Sequence, residues 1–201
     1  MGNQGASDGL DYDRYFWTGK KVLLRGLRVG DAEATYVASL DSSARQLLQL
    51  GIELPTSVEA LRIELEKRAF CKTVDGVIVF AIEPLDLPGT LAGAISLHSR
   101  SSKNGTFGFG ISVHEAFRYN GYAEDAVRIL LRYAFHEQRF QKCNSACVDG
   151  NAASIALHNK LGFVEEGRRR RQFFLNGRHV DDILYGLTRE EFEAVDSDRP
   201  A

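Results

Sequence analysis

The run Phe107-Gly108-Phe109-Gly110-Ile111-Ser112-Val113, followed four residues later by Arg118-Tyr119-Asn120-Gly121-Tyr122-Ala123-Glu124, decides how this chain folds. Bulky apolar residues alternate with glycine and serine, the period of a strand with one packed face. The other face carries Gly108, Gly110 and Ser112 and is nearly bare, so either the strand is bulged or something lies close against its backbone. A tight turn and a helix start come next. Such a start leaves several N–H groups without intrahelical acceptors at the positive end of the helix dipole, which favours a phosphate. Gly121 permits close backbone approach, Ala123 keeps the first turn slim, and Arg118 adds a local positive charge. No Gly-Lys-Ser/Thr follows, and the three-glycine dinucleotide pattern is missing, so neither of those phosphate loops applies.

Working outward, residues 121–137 read as a long helix with Ala123, Ala126, Val127, Leu130, Leu131, Ala134 and Phe135 inward and Glu124, Asp125, Arg128 and Arg132 outward. A strand at 142–148, a helix at 151–161 and a hairpin from Phe163 to Leu187, turned at Asn176-Gly177, complete the chain on that side. Before the opening run lie strands at 77–82 and 91–98, the first ended by Pro84, with a turn at Asn104-Gly105. Earlier still come a strand at 22–28, a helix from Asp31 packing Ala34, Val37 and Ala38, a loop or broken helix over 41–56, and a helix over 57–70 with Leu61 and Leu65 as its seam. Residues 1–18 read as a leader, 19–190 as one α/β domain and 191–201 as a tail. In that order the elements make a mixed sheet in which the strand–helix–strand crossover is parallel.

The helix at 151–161 carries Asn151, Ser154 and His158 at spacings that share a face. Asn151 suits an N-cap, whereas His158 continues the polar stripe between apolar Leu157 and Leu161.

Composition limits the function classes. A net charge of −2 with interspersed signs gives no general reason to bind nucleic acid or anionic lipid, so any anion site is local. Cys71, Cys143 and Cys147 form no Cys-x-x-Cys pair; a zinc reading lacks further ligands at usable spacing, and a reducing cytoplasm is expected. No metal is called for. No apolar run reaches membrane-span length, no signal peptide opens the sequence, and the myristoylation-like start fails at Ala6. The run Arg168-Arg169-Arg170-Arg171 lies on a strand whose residues alternate faces, which reads as a solvated hairpin; contact with an acidic acceptor or ribosomal RNA is the alternative.

These pieces together resemble one family. Arg118–Ala123 matches the Arg/Gln-x-x-Gly-x-Gly/Ala turn of GNAT N-acetyltransferases, and Asn151 through Asn159-Lys160-Leu161-Gly162-Phe163 resembles their next motif. Glu166-Gly167, Phe173-Phe174-Leu175-Asn176-Gly177-Arg178, Asp181 and Tyr185-Gly186-Leu187 look like the closing hairpin of the RimJ/RimL branch, which includes ribosomal-protein N-terminal acetyltransferases and is similar to spermidine acetyltransferases. The resemblance implies a single-domain GNAT fold with a mostly antiparallel mixed sheet flanked by helices. It implies acetyl-CoA as cosubstrate and a primary amine as acceptor, either a small molecule or a protein N-terminus, with a homodimer possible. The backbone of Ile111, Ser112 and Val113 would pair with the pantetheine arm. The segment Arg118, Tyr119, Asn120, Gly121, Tyr122, Ala123 and Glu124 would hold the pyrophosphate, and Asn151, Ser154 and Asn159 would contact the coenzyme, Asn151 and Ser154 also counting among the catalytic candidates. His158 stands where many relatives carry a Tyr that protonates the departing thiolate. Gly108 stands where some polyamine-acetylating relatives carry a Glu base, so the base becomes His98, His114, Glu115 or relayed water, with Glu115 or water preferred. None of the cysteines lies in the two motifs, which implies direct transfer without an acetyl-cysteine. Residues 12–18 and 41–70, with Trp17, Glu53, Glu59 and Glu64, would border the acceptor. A CoA-binding sensor without catalysis is the rival reading.

Overall fold

The computed structural model describes residues 15–48, 54–70 and 76–196, with backbone only at 69 and 70. The leader up to residue 14, Gly51, Glu53, Cys71 and the last five residues lie outside that description. The elements are β1 (Val22–Arg25), α1 (Ala32–Ser39), α2 (Ser42–Leu47), α3 (Val58–Phe70), β2 (Ile78–Pro84), β3 (Gly93–Ser101), β4 (Thr106–Val113), α4 (Tyr122–Arg132), β5 (Lys142–Val148), α5 (Ala152–Lys160), β6 (Val164–Leu175), β7 (Arg178–Thr188) and α6 (Arg189–Val195). The strands form one seven-stranded sheet in the order β1-β2-β3-β4-β5-β7-β6. Every neighbouring pair is antiparallel except β4–β5.

That parallel pair is short. It holds from Thr106↔Lys142 to Gly108↔Asn144 and then opens. Past that point β4 stays bonded to β3 as far as Gly93↔Val113, and β5 stays bonded to β7 as far as Val148↔Asp182. The sheet is therefore split down its middle, with two strand edges facing a gap.

The alternation in β4 places Phe107 and Phe109 in the core. Phe107 meets Phe135 and Phe140 with ring centroids 5.3 Å apart in both cases. Aromatic contacts of this kind add roughly 0.5–1.5 kcal/mol each beyond burial. The helix after the turn has the extent the sequence predicts, but its last part, Tyr133–Glu137, is wound as a π turn. Asp125 is not on its outer side. It is buried and accepts N–H bonds from Lys20, Lys21 and Val22, tying the start of α4 to the start of β1. Arg132, also expected outside, is partly covered where it pairs with Asp196.

Three more boundaries differ from the sequence reading. Trp17, placed in the leader, packs on Phe80 and Tyr133 at 4.8 and 4.7 Å. The tail begins later than residue 191: Thr188 caps α6 reciprocally with Glu191, and Phe192 is fully buried. β1 ends at Arg25, whose guanidinium makes a bidentate pair with buried Asp31 at 2.9 Å and also binds Glu83. Removing one partner from such a buried cluster costs roughly 3–5 kcal/mol. Val37 is 66% exposed and packs no core, since α1 turns its other side to α3.

Candidate active site

The gap between β4 and β5 opens into a cavity of about 1010 Å³. One wall is the β4 edge, Phe109 to Val113; another is β5 from Asn144 to Cys147 with α5; the turn Phe117–Glu124 closes one end, and α2 contributes Ser43, Ala44, Leu47 and Leu48.

The turn is built as a donor cradle. Tyr119 and Gly121 both have left-handed backbones, φ 67° and 82°, and Gly121 stands at the N-cap of α4 with no side-chain cap bond. The first N–H groups of α4 therefore lack an intrahelical acceptor beside the cavity. A Cβ on Gly121 would also come 3.0 Å from the Lys21 ammonium, which donates to the Asn120 carbonyl at 2.8 Å. Lys21 thus sits over the turn, a charge that no motif in the sequence revealed. Arg118 is less free than its sequence position suggests: it donates to Val113 O at 3.2 Å and pairs with Asp41 at 2.6 Å. Asp41 is the N-cap of α2, and N–H donation from Ala44, the Ser43 hydroxyl and Arg118 lower its pKa to about 2. The Arg118 charge is used to dock α2 onto the turn.

Not every expected residue reaches the cavity. Ile111, Ser112, Val113, Arg118, Tyr119, Gly121, Tyr122, Ala123, Glu124, Asn151, Ser154 and His158 line it. Asn120 does not, because its side chain donates back to Phe117 O at 3.2 Å. Asn159 is exposed on the outer side of α5, and Glu115 is exposed on a 3-10 turn; neither borders the cavity. His114 is held away as well, and burial pushes its pKa down. Glu59 and Glu64 are exposed on α3, and Trp17 faces Phe80 and Tyr133 instead. Cys147 does line the cavity, but burial raises its pKa, so the thiol stays protonated.

The polar stripe on α5 forms as the spacing predicts, with a different consequence. Asn151 accepts the Ser154 N–H at 3.2 Å and caps the helix. His158 is 3% exposed and stacks on Tyr185 at 4.5 Å. Its Nδ1 lies 2.7 Å from the Ser154 carbonyl, which can only accept, so Nδ1 carries the hydrogen. Burial lowers the imidazole pKa, the carbonyl contact opposing, and Nε2 of the neutral ring accepts the Ser145 hydroxyl at 2.8 Å. Both ring nitrogens are occupied, and the one N–H that would have protonated a leaving group points into the helix backbone. Ser145, which the sequence did not single out, is the hydroxyl this ring holds.

The bare face of β4 is not empty. His98 is the cross-strand partner of Gly108. A Cβ on Gly108 would lie 2.9 Å from His98 Cε1 and 3.1 Å from Asn144 O, and one on Gly110 would lie 3.1 Å from Ser96 Oγ. The glycines leave room for an imidazole laid across the strand. Glycines in a strand mark such close approaches, but the sequence alone could not say what approaches.

The site is thus a cleft between two strands, closed at one end by an uncapped helix start. Residues 21–164 match the acetyltransferase (GNAT) domain model. The uncharacterized N-acetyltransferase YokL of the SPbeta prophage, from Bacillus subtilis (strain 168), is 33% identical over 180 residues, 89% of this chain and 96% of YokL. YdaF of the same organism, provisionally named a ribosomal N-acetyltransferase, is 34% identical over 105 residues, 52% of this chain and 57% of YdaF. Among solved structures, spermidine N-acetyltransferase from Vibrio cholerae, in complex with CoA and spermine, superposes with TM-score 0.72 at 20% identity, covering 86% of this chain and 98% of that one, a likeness of fold. The chain belongs to the GNAT acetyltransferase family and is an N-acetyltransferase.

Proposed function

We propose that the protein transfers acetyl from acetyl-CoA to a primary amine, by direct attack while both substrates are bound. One observation carries this reading: the open β4 edge and the uncapped start of α4 face the same cavity. The donor set fits the coenzyme. The amides of Tyr122, Ala123 and Glu124, with Lys21 over the turn, would receive the pyrophosphate. Ile111, Ser112 and Val113 would pair along the pantetheine arm, and an N–H of that edge would polarise the acetyl carbonyl as charge develops on its oxygen.

The rest of the chemistry is positioning. A neutral amine held against the thioester carbonyl gains most of its rate from proximity and from carbonyl polarisation. His158 acts here as a positioning residue that orients Ser145 and fixes the α5 backbone at Ser154. The hydrogen on the Ser154 hydroxyl is not demanded by His158, whose Nδ1 is itself the donor; it reaches only the Cys147 thiol, a weak acceptor, so we assign Ser154 to the departing sulfur. Ala44, Leu47 and Leu48 give the cavity an apolar side, which supports an acceptor amine with an apolar flank, such as a protein N-terminus or a small monoamine. Cytoplasmic location and a homodimer stay part of this proposal.

The test is a panel of N-terminal peptides, polyamines and small monoamines, each incubated with acetyl-CoA while thiol release and product mass are followed. Acetylated product on at least one amine, with peptides or monoamines ahead of polyamines, is the expected result. Tight CoA binding with no turnover on any amine would replace the enzyme reading with the sensor one.

A further inference from the structure

We propose that His98 takes the proton from the attacking amine. The inference rests on the acetyl-transfer reading and supplies the acceptor group that reading leaves open. Among the described residues lining the cavity, three side chains are chemically able to accept a proton near neutral pH: Glu124, His158 and His98. The Glu124 carboxylate is bound by Arg128 at 3.3 Å and by Lys160 at 2.6 Å; burial would raise its pKa, and those cations outweigh burial and lower it. His158 has both nitrogens engaged by Ser154 and Ser145. His98 has one engaged.

Its Nδ1 meets the Ser99 hydroxyl at 2.9 Å, while Nε2, beside Gly110, meets no hydrogen-bond partner among the described residues. Two local features hold the ring there. Ser99 has φ 50°, an uncommon left-handed conformation for a non-glycine residue, at the bulge where the β3–β4 register shifts between His98 and Ser101. Gly108 and Gly110 on the facing strand leave the space the imidazole crosses. A bulge that turns Ser99 back onto its neighbour and two adjacent glycines converge on one ring orientation, with a free nitrogen at the cavity. Other charged groups at the cavity are Lys160, paired with Glu124, Arg118, paired with Asp41, and Arg169, bound to Asp182, so each of these cations already holds a carboxylate.

In the accepting state Nδ1–H donates to Ser99 Oγ and Nε2 offers its lone pair. The amine nitrogen forms the N–C bond to the acetyl carbonyl carbon, its proton passes to Nε2, the C–S bond breaks, and the electron pair leaves on sulfur. The imidazolium then gives its proton to water and the thiolate takes one from water, so atoms and charge balance with no further reactant.

The experiment compares wild type, His98→Gln and His98→Ala on whichever amine the panel selects, reading kcat/KM against pH and CoA affinity by calorimetry. CoA affinity within about 2-fold of wild type shows that both variants fold. The expected result is a loss of roughly 100-fold in kcat/KM for His98→Gln. In wild type the logarithmic slope should steepen toward two at acid pH, where amine and imidazole must both be unprotonated; in His98→Gln it should stay at one. Added imidazole should restore part of the His98→Ala rate. An active wild type with His98→Gln inside 3-fold of it at every pH overturns the assignment and leaves acetyl transfer standing. A wild type that binds CoA yet acetylates nothing overturns the underlying reading instead.

Discussion

Two histidines border one cavity and are used in opposite ways. His158, on α5, is buried, stacked on Tyr185 and bonded through both ring nitrogens. His98, on β3, lies across two glycines with one nitrogen bonded and one open. Residue type is the same; what differs is how many of the ring's hydrogen-bonding sites the fold has already filled. A ring with both sites filled orders its surroundings, and a ring with one site open can exchange a proton.

The contrast is sharpened first by His158→Phe, the substitution with the largest expected effect on stability. Phenylalanine keeps the stack but strands the Ser145 hydroxyl, so unfolding should become easier by roughly 2 kcal/mol. Chemical denaturation measures this. The rate should fall by a similar factor at every pH, leaving the pH profile's shape as in wild type; a changed acid slope would mean His158 takes part in proton transfer after all. Second, Gly121→Ala places a side chain at φ 82° and 3.0 Å from Lys21, which should weaken CoA binding about tenfold and cost on the order of 1 kcal/mol of stability. Calorimetry and thermal melting read both. Third, Gly108→Ala should push His98 aside, since the Asn144 carbonyl on the other side belongs to the backbone and cannot yield. Turnover should drop several-fold with CoA affinity retained; an unaffected rate would argue that the orientation of His98 does not matter.

The smallest effect concerns Asp41. Its pKa is depressed from 3.8 to about 2, so its contacts stabilise α2 above the ordinary value and are lost as pH falls through about 2. Asp41→Asn should therefore flatten the acid-unfolding curve over that window, by well under 1 kcal/mol because the pair with Arg118 is partly exposed.

Much of this was legible before any coordinates. The 2-residue period of Phe107 to Val113 and the 3.6-residue period after Gly121 fix which faces pack, and the crossover rule makes β4–β5 parallel. Asn176-Gly177 closes the last hairpin with φ 49° and 78°, as that dipeptide should. What escaped the sequence was pairing across distance. Asp125 looks like one more surface acid on an amphipathic helix until the amides of residues 20–22 arrive beneath it. Arg118 looks like a ligand for phosphate until Asp41, 77 residues earlier, claims it. His98 carries no motif at all; its importance lies in the strand opposite, where the glycines are conspicuous but their occupant is not.

The central claim is that the split in the sheet receives the coenzyme along β4 and at the start of α4. Amide hydrogen exchange with and without CoA tests it residue by residue. The account predicts new protection at Ile111, Ser112 and Val113 and at Tyr122 to Glu124, with little change along β6. Saturating CoA that leaves those six amides exchanging as before would contradict it.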